Sequence, residues 1–476
     1  MYNKATGVKN ILFNIIYLFF GNVVTKLLGA FATILYANFT GVSEYGILSI
    51  ALSFSAIMTF LTDSGIGHTA IREGTKKDSD LGKIMYSYTK FRCILFIFVS
   101  LLSVLLINLI YKNDPVMIKA ILLLVIPSLV GSLLQGIGVT YFQIVEKMKY
   151  VSFINILLSV GNSLALFLGV ILNLSIIEIC FIYGASSIIS GAYALIIAVK
   201  RIKFKKEFDN NILFQLLSFT TNSVIIILTP QLGPIILEKV LSVQDVGYYS
   251  AAFKIPAILY QFPGIIATAF YPKLFSLGNE NNVYEHRKMS SLELQLMTIL
   301  GAILALPFIL NAKYWIVTLL GEKYLPAVGA LVILSYLVFT QAVKFPLADF
   351  LTTSNRQWQR TIVMLSGLII SILGYIYLGR YFGVSGGALA PVLADVIMII
   401  GCLFFIPNGF KFLWTNTAMI IFNFIIAIVS YKLLFTQFHP LIGITIAELI
   451  FIGLIVLTNK ESKNILNLVF LKFKKN

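Results

Sequence analysis

Residues 41–77 read GVSEYGILSIALSFSAIMTFLTDSGIGHTAIREGTKK. A short loop with an acid and two small residues leads into an apolar span of about 46–69, with Asp63 inside it and Arg72 about two helical turns beyond. The same skeleton recurs later in the chain. Adding 201 to the numbering carries Glu44 onto Asp245, Gly46 onto Gly247, Ser49 onto Ser250 and Arg72 onto Lys273. It also carries Asn10-Ile11-Leu12-Phe13 onto the identical Asn211-Ile212-Leu213-Phe214. One offset that serves two separate segments marks an internal repeat, so the chain reads as two related halves.

Working outward, the composition decides the solvent. The 476 residues are 58% hydrophobic and 12% charged, and the mean hydropathy is +0.91. That leaves too little polar surface to coat a water-soluble globule, so the expected class is an all-α integral membrane protein. Fourteen apolar spans follow, at about 11–37, 46–69, 84–110, 116–141, 151–172, 177–199, 212–237, 247–271, 289–310, 327–350, 360–379, 385–406, 415–434 and 441–458. The repeat predicts a six-helix bundle over 1–206, a second over 207–411, and two additional spans with a basic tail over 412–476. Nothing at the N-terminus has the pattern of a removable signal peptide, so the first span is expected to stay as an anchor.

The net charge of +16 would suggest nucleic acid in a soluble protein, but its distribution points elsewhere. Counted over alternate connections, 24 basic residues fall on one side, from Lys4 and Lys9 through Lys200–Lys206 to the tail lysines. Seven fall on the other: Lys112, Lys119, Lys239, Lys313, Lys323, Arg380 and Lys432. This asymmetry predicts both termini in the cytoplasm and no nucleic-acid partner. Six spans per half then insert in the same direction as parallel repeats, a plan in which a central cavity opens to each side in turn.

Five basic residues remain inside spans: Lys26, Lys90, Arg92, Lys254 and Lys344. A cation at the bilayer centre costs about 2.5–3.5 kcal/mol, so each needs a partner, a wet cavity or a route to the surface. Lys90 and Arg92 lie two turns into the third span and Lys344 near the inner end of the tenth, and their stems are expected to snorkel to the surface. Lys26, near the middle of the first span, and Lys254, about two turns into the eighth, are the candidates for lining a cavity. The acids within or bordering spans are Asp63, Glu178, Asp349, Asp395 and Glu448. Asp63 is expected to pair with a basic side chain on a neighbouring helix, with a coupling ion as the alternative. Asp349 is five residues from Lys344, off the helical pairing distance, and Asp395 is a candidate for a proton or sodium path.

Signals for catalysis are poor. His68, His286 and His439 are scattered, Cys93, Cys180 and Cys402 show no metal or disulfide spacing, and no phosphate-binding glycine loop occurs. No metal site or cofactor is expected, and a transporter is favoured over an enzyme.

TGVSEYGILSIALSF, running through LTDSGIGHTAIRE, resembles the first helical hairpin of the polysaccharide transport (Wzx-type oligosaccharide and O-antigen flippase) family of the MOP, or MATE-like, exporter superfamily. The residues that carry the likeness are Glu44-Tyr45-Gly46, Asp63-Ser64-Gly65 and Arg72-Glu73, with Val145–Tyr150 and Gly321-Glu322-Lys323-Tyr324 as further family-like loops. The resemblance implies a flippase of the bacterial cytoplasmic membrane, for O-antigen, capsule or related envelope glycans. Its substrate would be an undecaprenyl-pyrophosphate-linked oligosaccharide, carried from the inner to the outer leaflet. Membrane lipids and the polymerase of the same glycan pathway are the implied partners, and a proton or sodium gradient is the candidate energy source. Moving one bare hydroxyl into hydrocarbon costs about 4–8 kcal/mol, so the sugar head needs a hydrophilic path. The pyrophosphate needs cations: Lys26 and Lys254 are the candidates, with Arg92 and Lys344 as first contacts on the way in. A multidrug/cation antiporter and a peptidoglycan-precursor flippase share the fold and stay open, as does a membrane-embedded glycan polymerase.

Overall fold

The computed structural model describes Gly21 and residues 24–76, 79–214 and 216–458. Outside them lie Lys4, Lys9, Lys77, the tail lysines from Lys460 onward, the Asn10–Phe13 tetrapeptide and the start of the first expected span. All regular structure among the described residues is helical. In chain order the helices are α1 Val24–Phe39, α2 Val42–Leu61, α3 Ile66–Gly74, α4 Leu81–Ile110, α5 Pro115–Ile144, α6 Met148–Ile171, α7 Ile176–Val199 and α8 Leu216–Leu237. They continue as α9 Val243–Leu259, α10 Gln261–Asn279, α11 Val283–Leu310, α12 Ala312–Leu320, α13 Val328–Thr353, α14 Gln357–Phe405, α15 Gly409–Ser430 and α16 Pro440–Thr458.

Among the described residues, ten helical stretches are long and apolar enough to cross a membrane. One of them, α14, holds two spans, because Gly383 sits at φ 61° and ψ −141°, a conformation that only glycine adopts readily. With α14 counted as two spans, and with α1, α8 and the α9–α10 pair in the places of the first, seventh and eighth, the helix order is consistent with the fourteen expected crossings. Large apolar side chains remain exposed in rows, such as Ile94, Ile97, Phe98, Leu101, Leu105 and Leu109 along α4. On a multi-pass protein such a face meets lipid.

The chain divides into two compact units, Met1–Ser250 and Ala251–Asn476. In the first, α5 and α7 approach backbone to backbone at small residues. A Cβ at Gly184 would lie 2.6 Å from the Leu124 carbonyl oxygen, and one at Gly138 would lie 2.5 Å from that of Ala194. Small residues allow this because no hydrophobic force drives helices together in lipid and close packing must do so. A core of Ile84, Met85, Tyr88, Tyr141 and Ile154 joins α4, α5 and α6. In the second unit, α15 and α16 are not peripheral. Phe424 of α15 stacks on Phe339 of α13 at 5.0 Å and shares a core with Leu306 of α11 and Phe451 of α16.

Candidate functional site

The residues of the opening stretch turn out to hold the backbone in place. Glu44 reaches back to the Gly41 amide at 3.3 Å, and its repeat counterpart Asp245 accepts from Ser242 Oγ at 2.7 Å. Both carboxylates occupy helix N-termini, where exposed amides and the helix dipole favour negative charge. Glu178 does the same for α7, accepting from Ser175 Oγ at 2.7 Å. Gly46 and Gly247 meet at the crossing of α2 and α9: a Cβ on either would overlap a carbonyl oxygen, that of Val243 or of Val42. The two copies of the motif thus pack on each other. Gly65, at φ 79°, ends the α2 run and lets α3 begin, which splits the single expected span at Asp63-Ser64-Gly65. Arg72 bonds Glu73 at 2.9 Å and the Phe214 carbonyl at 2.9 Å, clamping α3 to the connection ahead of α8.

The break at Asp63 places a carboxylate where α4 and α5 can reach it. Arg92, 3% exposed, lies 3.5 Å from Asp63 Oδ1, whose side chain is 29% exposed. Its guanidinium also donates to Tyr88 OH at 2.8 Å and to the Ser132 carbonyl at 3.0 Å. Tyr88 OH donates to Asp63 at 3.3 Å and accepts from Thr140 at 3.0 Å. Gly136 makes the room, since a Cβ there would occupy the guanidinium's place. Arg92 therefore turns inward instead of snorkelling. The fork geometry of arginine suits it to tie together Asp63, its own helix α4 and the backbone of α5.

Lys344 likewise points inward. Its Nζ donates to Asp395 Oδ1 at 2.6 Å, with the side chains 17% and 2% exposed, and Thr340 adds a bond to the other carboxylate oxygen at 3.2 Å. This pair joins α13 to the second half of α14. Asp349, one turn further along α13, is buried and pairs with neither. It lies within electrostatic reach of Arg360 and of Glu293 on α11. Lys90 is exposed, 5.9 Å from the Phe208 ring.

Glu293 was not among the sequence candidates. It is 0% exposed, and neither carboxylate oxygen has a hydrogen-bond partner among the described residues. A signal existed: the offset of 201 that relates the halves carries Arg92 onto Glu293, a buried cation onto a buried acid. The two deep lysines contrast with these clusters. Lys26 on α1 is exposed and Lys254 on α9 is half-buried, and neither forms an ion pair among the described residues. Of the five cations inside the spans, Arg92 and Lys344 thus pair with acids, whereas Lys26, Lys90 and Lys254 form no ion pair among the described residues.

A lipid II flippase, MurJ, in its inward closed conformation superposes with a TM-score of 0.75 at 16% identity, covering 94% of this chain and 99% of that one. A multidrug resistance MATE family transporter of the MOP superfamily, inward-facing, gives 0.69 at 12% identity, covering 80% and 93%. A MOP superfamily transporter from Pyrococcus furiosus, described as having a binding pocket of reverse polarity, gives 0.51 at 11% identity, covering 83% and 92%. At these identities the likeness is one of fold, and the fold is that of MOP transporters. None of the curated proteins matches the chain in sequence. The profile of the family described as polysaccharide biosynthesis protein does match, over residues 11–278, more than half of the chain, and the protein belongs to that family.

Proposed function

We propose that this protein is a flippase that carries undecaprenyl-pyrophosphate-linked oligosaccharide units from the inner to the outer leaflet of the bacterial cytoplasmic membrane, by alternating access, for an envelope polysaccharide. Membership of the polysaccharide biosynthesis family supports the glycan, and the shared fold with a lipid II flippase supports a lipid-linked cargo. The observation that carries the reading is the pairing of charge: Arg92 and Lys344 are neutralised internally, whereas Lys26 and Lys254 form no ion pair among the described residues. An unpaired cation at membrane depth is costly, and a pyrophosphate offers the compensation that the protein withholds. An inside-negative potential adds about 2.3 kcal/mol per charge per 100 mV to outward movement of the anion. Glu293 favours a second reading, a cation-coupled antiporter, because a buried acid without a partner suits an exchanged proton or sodium ion.

Lys26→Ala and Lys254→Ala are each expected to abolish or sharply reduce glycan export, with lipid-linked units accumulating on the inner leaflet and membrane levels of the protein unchanged. Full export by both variants would remove the lysines from the site. Drug-driven proton efflux from vesicles of the purified protein, without lipid transfer, would favour the antiporter.

A further inference from the structure

The second unit has an open cavity of about 590 Å³ where the start of α11 meets the start of α15. Arg287, Lys288 and Lys411 line it, with Ser291 and Asn416, and no carboxylate is among the lining residues. Arg287 is built into the wall: it donates to the Pro407 carbonyl at 2.8 Å and lies 5.0 Å over the Phe412 ring. Lys288 and Lys411 are exposed, and none of the three cations forms an ion pair among the described residues. Asn416 is held by Ser291 and by Gln295 Nε2 at 2.9 Å, so the polar floor is ordered. No side chain caps the N-terminus of α15, which adds the positive end of a 22-residue helix to the same cavity.

The repeat supplies an internal control. In the first unit the corresponding stretches, the start of α4 and the residues after α7, form a cavity of about 550 Å³ lined by Arg201, Lys203 and Lys205. There the chain provides its own anion, because Asp80 pairs with Lys205. In the second unit the residue at the corresponding position is Asn281 and no acid lines the cavity, which leaves its cations open to an anion from outside. The position selects its source. Tyr284, Phe410 and Trp414 are exposed around the cavity, the aromatic pattern of a membrane–water boundary, and lipid phosphates lie at that depth.

We propose that this cavity binds the phosphate headgroup of an anionic phospholipid in the leaflet it faces, independently of the transported cargo. Basic pockets between membrane helices recognise such headgroups through charge and hydrogen bonding together, and here Lys288 and Lys411 would contact the phosphate while Ser291 and Asn416 take the glycerol. The test is a titration of the full-length protein in neutral detergent with phosphatidylglycerol or phosphatidylcholine, read by native mass spectrometry. The first phosphatidylglycerol should bind at least tenfold more tightly than phosphatidylcholine. The double variant Lys288→Gln/Lys411→Gln should weaken it about 30-fold, from about 5-fold per lysine. Lys200→Gln/Lys206→Gln, an equal loss of charge from exposed positions outside both cavities, should change it less than about threefold. Equal losses in both double variants, or none in the first, would overturn the site. Displacement of the lipid by millimolar inorganic phosphate would overturn the lipid assignment in favour of a soluble anion.

Discussion

Lys344→Met tests whether the inward-facing cations hold the fold or serve the cargo. The substitution keeps the length of the side chain but leaves the Asp395 carboxylate, 2% exposed, without its cation. Removing one partner of a buried pair costs about 3–5 kcal/mol, and the surviving Thr340 and Gln341 bonds place this case near 3 kcal/mol. Asp395→Leu leaves the opposite orphan, but Lys344 is 17% exposed and its flexible stem can reach polar surroundings, so about 2 kcal/mol is expected. Lys344→Met/Asp395→Leu buries no orphan charge and should lose less than the two singles together, a coupling of about 3 kcal/mol. Unfolding by titration with dodecyl sulfate in mixed micelles measures all three. Additive losses would refute the pair as a closed unit. Glycan export then separates the roles: a stable double variant that still exports makes the pair structural, and one that fails assigns Lys344 a contact with cargo.

The remaining expectations concern packing, an orphan acid and the polar rim. Gly46→Ala and Gly247→Ala should each destabilise by about 1–3 kcal/mol, because the added methyl overlaps a backbone carbonyl oxygen that no rotamer change can move. A loss below about 0.5 kcal/mol in the same unfolding assay would contradict the crossing. Glu293→Met should raise stability by about 1–3 kcal/mol by removing two buried, unpartnered oxygens, and a simultaneous fall in export would show that the acid is kept for work and not for the fold. At the rim, the hydrogen bond from Lys205 holds the Asp80 carboxyl below the usual carboxylate range, and Asp80 in turn raises Lys205. Asp80 then contributes stability above its unfolded value that is lost as pH falls through its depressed one. The Lys205 contribution is complete below the ordinary lysine value and lost as pH rises through its raised one. Protection from hydrogen exchange across residues 200–209, taken relative to the intrinsic rate at each pH, should be greatest between these limits, and a profile that Asp80→Asn leaves unchanged would refute the clamp.

Several features were legible in the residues alone, and all of them rest on local chemistry. Spans announce themselves because about 20 apolar residues have no other stable use in a chain of this composition. The acids Glu44, Asp245 and Glu178 stood out by their place in the repeat or at the head of a span, and the structure makes them helix caps, a role that acts within three residues of their own position. The repeat offset was visible because both copies of the Gly46 motif meet at the same crossing and are constrained together.

Tertiary structure alone decided which way each charged side chain points. In water an amphipathic stripe marks the face that turns inward, but a membrane helix is apolar toward lipid and toward its neighbours, so periodicity loses that information. Depth along the span suggested that Arg92 and Lys344 reach for the surface, whereas they turn to acids on other helices, 29 and 51 residues away in sequence. Glu293 lay near an expected span end and drew no attention until packing enclosed it. Burial is a property of the neighbours that surround a residue, and those neighbours are supplied only when distant parts of the chain come together.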